Sequence, residues 1–201
     1  MNSKEQIYLR KDFEKALKKA KIFNLVDKNG KVLKTNMSQR YWGISTKDST
    51  MYMKLNKIFK HFHNKNVIDL GCNIGFFSFM IAAFANKVVG LDIGSPFIDK
   101  ANKVKKYLGT ENIEFFAKDI NSIDGDYLDK YAINAAFFHK IGTYNWGKEE
   151  CRRIYGLLAD RCSIVVTNEI KTLEKFLEKK GYERTSMPSY KKTLNIYMKK
   201  D

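Results

Sequence analysis

The chain predicts an α/β fold, a mostly parallel sheet with helices on both faces that ends in an antiparallel strand pair. Three observations carry that expectation. From residue 66 onward, short apolar runs alternate with helical stretches. One of those runs ends in Asp69 and passes straight into a turn bearing Gly71 and Gly75, followed by the apolar stretch 76–85. After a helical pattern at 170–180, two strand-like runs follow each other with no helix between them. The length of 201 residues suits one domain with a small appendage and can bury a core without disulfide staples.

Local signals set the order of elements. Ser3 and Gln6 fit a capping box, and Leu9, Phe13, Ala16, Leu17 and Ala20 then share one helical face. Residues 22–35 read as a hairpin turning at Asp27-Lys-Asn-Gly30, and residues 50–62 as a helix. Residues 1–60 thus make a small basic α+β extension, packed on the main domain because no long linker intervenes. In the main domain, 61–201, the predicted strands are 66–70, 87–91, 113–117, 132–138 and 163–167, with helices at 76–85, 96–108, 125–130 and 148–159 between them. The helix at 170–180 and strands near 182–187 and 193–199 complete a seven-stranded sheet. Ser95-Pro96 offers an N-cap followed by an N1 proline, and Gly109 and Gly181 stand where helix C-caps belong.

The charge is unevenly placed. The formal net charge is +15; residues 1–65 hold 16 Lys/Arg against 5 Asp/Glu, and the remainder 21 against 17. A basic first third suits an anionic partner such as RNA, DNA or a phosphorylated substrate, against the blander reading of a compositional bias toward lysine. Cys72, Cys151 and Cys162 are odd in number, widely spaced and form no C-x-x-C pair. That argues against a disulfide framework or a metal site, and for a reducing compartment. The longest apolar run is too short to span a bilayer, and the charged N-terminus lacks a signal-peptide core. A cytoplasmic protein with no membrane partner is expected.

Four features fall at the carboxyl ends of successive strands, where open α/β sheets bind ligands. They are Asp69-Leu-Gly71-Cys-Asn73-Ile-Gly75, then Asp92, then Asp119 followed by Ile120, then the run from Phe137 through His139 and Tyr144 to Trp146. Gly71 and Gly75 let backbone approach a ligand. Asp92 can accept from two ribose hydroxyls. Asp119 can accept from an adenine amino group, or simply cap a turn. A dinucleotide site wants G-x-G-x-x-G with phosphate over a helix N-terminus. Here the glycines are four apart, Asn73 replaces the middle one, and Asp69 would repel a pyrophosphate. A phosphate-free, positively charged cofactor such as S-adenosylmethionine suits the carboxylate better.

These residues resemble the class I S-adenosylmethionine-dependent methyltransferases over roughly residues 60–200. The resemblance implies a Rossmann-like seven-stranded sheet with a reversed last strand and an S-adenosylmethionine-binding domain. It implies that Asp92 holds the ribose, that Asp119 and Phe116 to Ile120 meet the adenine, and that backbone near Gly71 meets the methionine part. Asp69, Gly71 and Gly75 match the family's first motif, and Asn73 departs from it. Residues after the fourth strand often face the substrate in this family, which makes His139 a general base or an orienting group and Tyr144 with Trp146 a lid, or else plain packing. Tyr41 and Trp42 either close over the cofactor from the basic extension or play only a structural part there. Arg152 and Arg153 read as a solvated face. The chain's only prolines are Pro96 and Pro188, so it lacks the Asp/Asn-Pro-Pro-Tyr/Phe motif of enzymes acting on exocyclic base amines. The acceptor is then RNA, guided by residues 1–65, or a small molecule beneath an N-terminal lid; a non-catalytic binding protein of the same fold is the third reading.

Overall fold

The structure is a computed structural model that describes residues 57–139, 148–167, 171–185 and 194–200. Its strands are β1 (Asn66–Leu70), β2 (Lys87–Asp92), β3 (Ile113–Ala117), β4 (Ala135–Phe138), β5 (Ile164–Thr167), β6 (Tyr182–Arg184) and β7 (Asn195–Lys199). They form one sheet in the order β3-β2-β1-β4-β5-β7-β6. The first five are parallel, while β7 runs antiparallel to both β5 and β6. Helices α1 (Phe76–Ala82), α2 (Ser95–Leu108), α3 (Gly125–Lys130), α4 (Lys148–Arg161) and α5 (Lys171–Lys179) lie between them. This is the expected Rossmann-like arrangement with its reversed last strand.

Strand residues sort to the two faces with period two. Val67, Val88 and Phe137 join one core with α1, α2 and the turn Lys60–Phe62. Ile68, Val89 and Phe138 join the other with α3, α4 and α5. Burial on both faces explains why the strands read as unbroken apolar runs. Each such side chain contributes about 1.5–3 kcal/mol on leaving water. The alternation puts Asp69 on the same face as Val67, toward α1.

Of the expected extension, only the end of the 50–62 helix falls within the described residues. There Phe59 is buried, its ring 5.6 Å from that of Phe137 and 6.1 Å from that of Phe77. The capping box at Ser3, the hairpin, Tyr41 and Trp42 lie outside the described residues. Among those described, no helix is long and apolar enough to cross a membrane.

Some element ends differ from expectation for identifiable reasons. The strand expected from 132 begins at Ala135, because Ala132 takes a left-handed φ of 49° and closes α3 through amide bonds from Ala132 to Asp129 and from Ile133 to Leu128. Helix α1 stops at Ala82 rather than 85, where the amides of Phe84 and Ala85 both fold back on the Ile81 carbonyl. Gly94, not Ser95, is the N-cap of α2, and no side chain caps that helix. Gly109 does end α2, with φ 64°.

Candidate active site

Beyond Leu70 the chain reverses through three left-handed residues, Gly71 (φ 73°), Asn73 (φ 52°) and Gly75 (φ 84°). That conformation costs most side-chain-bearing residues about 1–2 kcal/mol, but asparagine tolerates it. Asn73 therefore keeps the backbone that a middle glycine would give. Its Oδ1 accepts from the Ile74 amide at 2.8 Å, and its own amide donates to Asp92 Oδ2 at 2.9 Å. The amides of Gly71 and Cys72 both donate to the Leu91 carbonyl, at 2.8 and 2.9 Å. The turn is thereby bound to the end of β2. Gly71 is exposed, whereas Gly75 is buried under Phe115. A Cβ on Gly75 would lie 2.5 Å from Phe115 Cζ, and one on Gly90 2.6 Å from Phe115 Cδ1. A single aromatic ring thus fills the room left by two absent side chains.

The three expected acids have different surroundings. Asp69 is 2 % exposed and accepts a hydrogen bond from the Ser78 hydroxyl of α1. Burial pushes its carboxyl up to about 7, opposed by the Ser78 hydrogen bond and helped by the charge of Asp92. Asp92 is half-buried, and each of its oxygens holds a main-chain amide, Asn73 on Oδ2 and Gly94 on Oδ1, both at 2.9 Å. A carboxylate offers about four acceptor positions, so about two remain for a ligand. Asp119 is exposed and caps the 3-10 turn Ile120–Ser122, its Oδ1 accepting from the Asn121 amide at 2.9 Å. Ile120 belongs to the α3–α5 core, at 9 % exposure.

Arg152 and Arg153 are exposed, as expected, but Arg153 also has a structural task. Its guanidinium reaches from α4 to the carbonyls of Ile123 at 2.8 Å and Asn121 at 2.6 Å, fixing the loop that carries Asp119. Ile93 was not among the expected site residues. It is 75 % exposed beside Asp92, the exposed large hydrophobic among the described residues. The sequence held a signal for it, an apolar residue directly after the acid that ends a strand.

Leu70 of β1 and Phe138 of β4 are register partners, so Gly71 and His139 leave neighbouring strands side by side. They do so where the sheet order reverses its direction of growth, the place where such sheets open a crevice. The His139 ring packs 5.4 Å from that of Phe77. Tyr144 and Trp146 lie outside the described residues. Cys72, beneath the turn, is buried, and that burial pushes its thiol well above the usual range. It is therefore a core residue and no nucleophile. The described groups are suited to binding and orientation: a latched turn, an anchored carboxylate with acceptor positions left over, and an exposed apolar side chain.

The family profile described as a methyltransferase domain matches residues 61–194. The 23S rRNA (uracil(1939)-C(5))-methyltransferase of Colwellia psychrerythraea is 33% identical over 78 residues, which make up 35% of this chain and 17% of that protein. Magnesium protoporphyrin IX methyltransferase from Synechocystis, solved with bound S-adenosylmethionine, is 15% identical with a TM-score of 0.57, covering 100% of this chain and 98% of that one. A protein from Pyrococcus horikoshii described as an RNA methyltransferase is 14% identical with a TM-score of 0.56, covering 75% of this chain and 84% of that one. At such identities the two solved structures show likeness of fold.

Proposed function

The chain belongs to the methyltransferase-domain family, and from that premise we propose that it transfers a methyl group from S-adenosylmethionine to RNA. The observation that carries the cofactor part is the Asn73–Asp92–Gly94 latch, which anchors a carboxylate beside an exposed apolar side chain at the end of β2. Asp92 accepts from the ribose hydroxyls with the positions that the latch leaves open. Ile93 gives the adenine an apolar face, and Asp119 accepts from its amino group. The turn at Gly71 receives the methionine end, and a cationic ligand draws the buried Asp69 carboxyl toward its charged form, which a phosphate would oppose. When bound, the sulfonium supplies an already activated methyl for in-line displacement. The residues of the chain then have to place the acceptor, and His139, next to Gly71 in the crevice, is the group that orients it or takes its proton.

RNA is favoured as acceptor by the concentration of lysine and arginine in residues 1–65. The partial relationship to a ribosomal RNA methyltransferase supports the same choice. A small-molecule acceptor is the second reading, supported by the likeness of fold to the porphyrin enzyme. A radiolabelled methyl-transfer assay on separated RNA, protein and metabolite extracts decides between them. Label in RNA is the expected result, and label in the metabolite fraction alone overturns it. His139→Ala should keep cofactor affinity and lose turnover; unchanged turnover removes that residue from the site.

A further inference from the structure

Helix α2 buries Ile98, Ala101 and Val104 against the sheet. Lys100, Lys103 and Lys106 recur at three-residue intervals on its other side, and Lys105 flanks them. Like charges at that spacing repel and weaken a helix. The last turn gains from Lys105 and Lys106 through the helix dipole, but Lys100 and Lys103 lie too early for that. The Lys100 ammonium holds its proton less tightly, chiefly because of partial burial and secondarily because of the neighbouring Lys103 charge.

Among the described residues, five other cations have acid partners, whereas scattered lysines such as Lys118, Lys130, Lys175 and Lys179 have none. Lys87 pairs with Glu114, Arg161 with Asp129, Lys180 with Asp160, Arg184 with Glu174 and Lys200 with Glu183. Among the described residues, no acid lies within ion-pair distance of Lys100, Lys103, Lys105 or Lys106, even though Asp99 shares their helix. The run from Lys100 to Lys106 rises about 9 Å along the axis. It starts at the sixth residue of the helix, about 9 Å along the axis from Gly94, whose amide is tied to Asp92. At its far end it opens on a groove of about 380 Å³ lined by Asn102, Lys105, Lys106, Gly109, Thr110 and Glu111. A single small acid would need one or two of these charges. A row of unneutralised charges along one helix face fits a polymer with regularly spaced negative charges.

We infer that the Lys100–Lys103–Lys106 face of α2, continued by the groove at Lys105, carries the phosphate backbone of the RNA acceptor. The inference rests on the RNA reading above and adds the surface that reading lacks. It needs no base contacts, so binding through this face is sequence-tolerant and strongly dependent on salt.

The test measures binding of a fluorescein-labelled single-stranded RNA oligonucleotide to the full chain across a potassium chloride series. Four proteins are compared: wild type; the triple variant Lys100→Gln, Lys103→Gln, Lys106→Gln; the same three positions changed to arginine; and Lys130→Gln, Lys175→Gln, Lys179→Gln, which removes equal charge elsewhere. Losing three phosphate contacts should flatten the slope of log affinity against log salt by about 2 in the glutamine triple on α2. The arginine triple and the distant triple should keep the wild-type slope, and calorimetry should give all four the same S-adenosylmethionine affinity. A wild-type slope in the α2 glutamine triple overturns the assigned surface and leaves the RNA reading standing. A wild type that binds no RNA, or binds it without salt dependence, overturns both. Should the triple lose its cofactor affinity through misfolding, single Lys103→Gln decides, with about a third of the change in slope expected and none overturning the assignment.

Discussion

On the β1–β3 flank, Asp92 holds the Asn73 and Gly94 amides and still has acceptor positions to offer. On the β5–β7 flank, polar groups such as the Tyr182 hydroxyl and the Lys199 ammonium are turned inward upon the chain itself. The Tyr182 hydroxyl donates to the Cys162 carbonyl, and Lys199 Nζ donates to the Ala159 carbonyl at 3.2 Å. These carbonyls belong to the C-terminal end of α4, which has no amides of its own left to satisfy them. Ion pairs such as Arg161–Asp129 at 2.9 Å and Arg184–Glu174 at 3.1 Å finish that side. A saturated polar group fixes the fold; an anchored group with capacity left over fixes the fold and can also meet a ligand. One sheet thus separates a flank with acceptor capacity left over from a flank that spends it on the fold.

Breaking the first flank should have the largest effect. Asp92→Ala removes the acceptor for two amides and for the ligand, and cofactor affinity measured by calorimetry should fall at least about 100-fold. Retained affinity would end the assignment of the latch as the cofactor anchor. Gly75→Val should cost about 3 kcal/mol or more in urea unfolding, because a left-handed φ and Phe115 both oppose a side chain there. Adding Phe115→Leu should recover part of that loss; equal instability in the double variant would locate the cost in the backbone alone.

A pH experiment tests Asp69 at the same flank. Its folded pKa, about 7, is raised above the ordinary 3.8, so the folded state binds the proton more tightly than the unfolded one. The resulting stabilisation is complete below about pH 4 and is lost as pH rises through about 7. Between about pH 5 and pH 8, wild type should lose on the order of 2 kcal/mol in urea unfolding relative to Asp69→Asn. Parallel pH profiles for the two proteins would refute the burial argument.

The second flank should give smaller effects confined to stability. Tyr182→Phe should cost about 1–2 kcal/mol with cofactor affinity unchanged; a shift in affinity would blur the division between flanks. Asp129→Asn breaks an exposed ion pair and should leave both the melting temperature and turnover within error.

The elements that lie in long apolar runs were legible because burial on both faces leaves an uninterrupted pattern, as in β1 and β5. The polar ties were not. Ser95 carries a good capping side chain, yet Gly94 caps α2, because its amide is drawn to Asp92 across the turn. Arg153 is exposed, as its neighbours on α4 suggest, yet its partners are Asn121 and Ile123, some thirty residues away in sequence. Asn73 looked like a departure from a glycine pattern. What the turn requires there is the sign of φ, and asparagine meets it. Acids at strand ends could be proposed as site residues from their spacing alone. Which of them is anchored, as Asp92 is, and which is buried, as Asp69 is, depends on contacts between distant segments.

The amide of Asn73 is also a link between two halves of one ligand. It belongs to the turn that would receive methionine, and it is held by the carboxylate that would receive ribose. Whatever occupies Asp92 therefore steadies the turn, and whatever occupies the turn steadies Asp92. Adenosine and methionine, offered as separate fragments, should bind with mutual assistance. One hydrogen bond of about 1 kcal/mol corresponds to a roughly five-fold gain in the affinity of each fragment when the other is present.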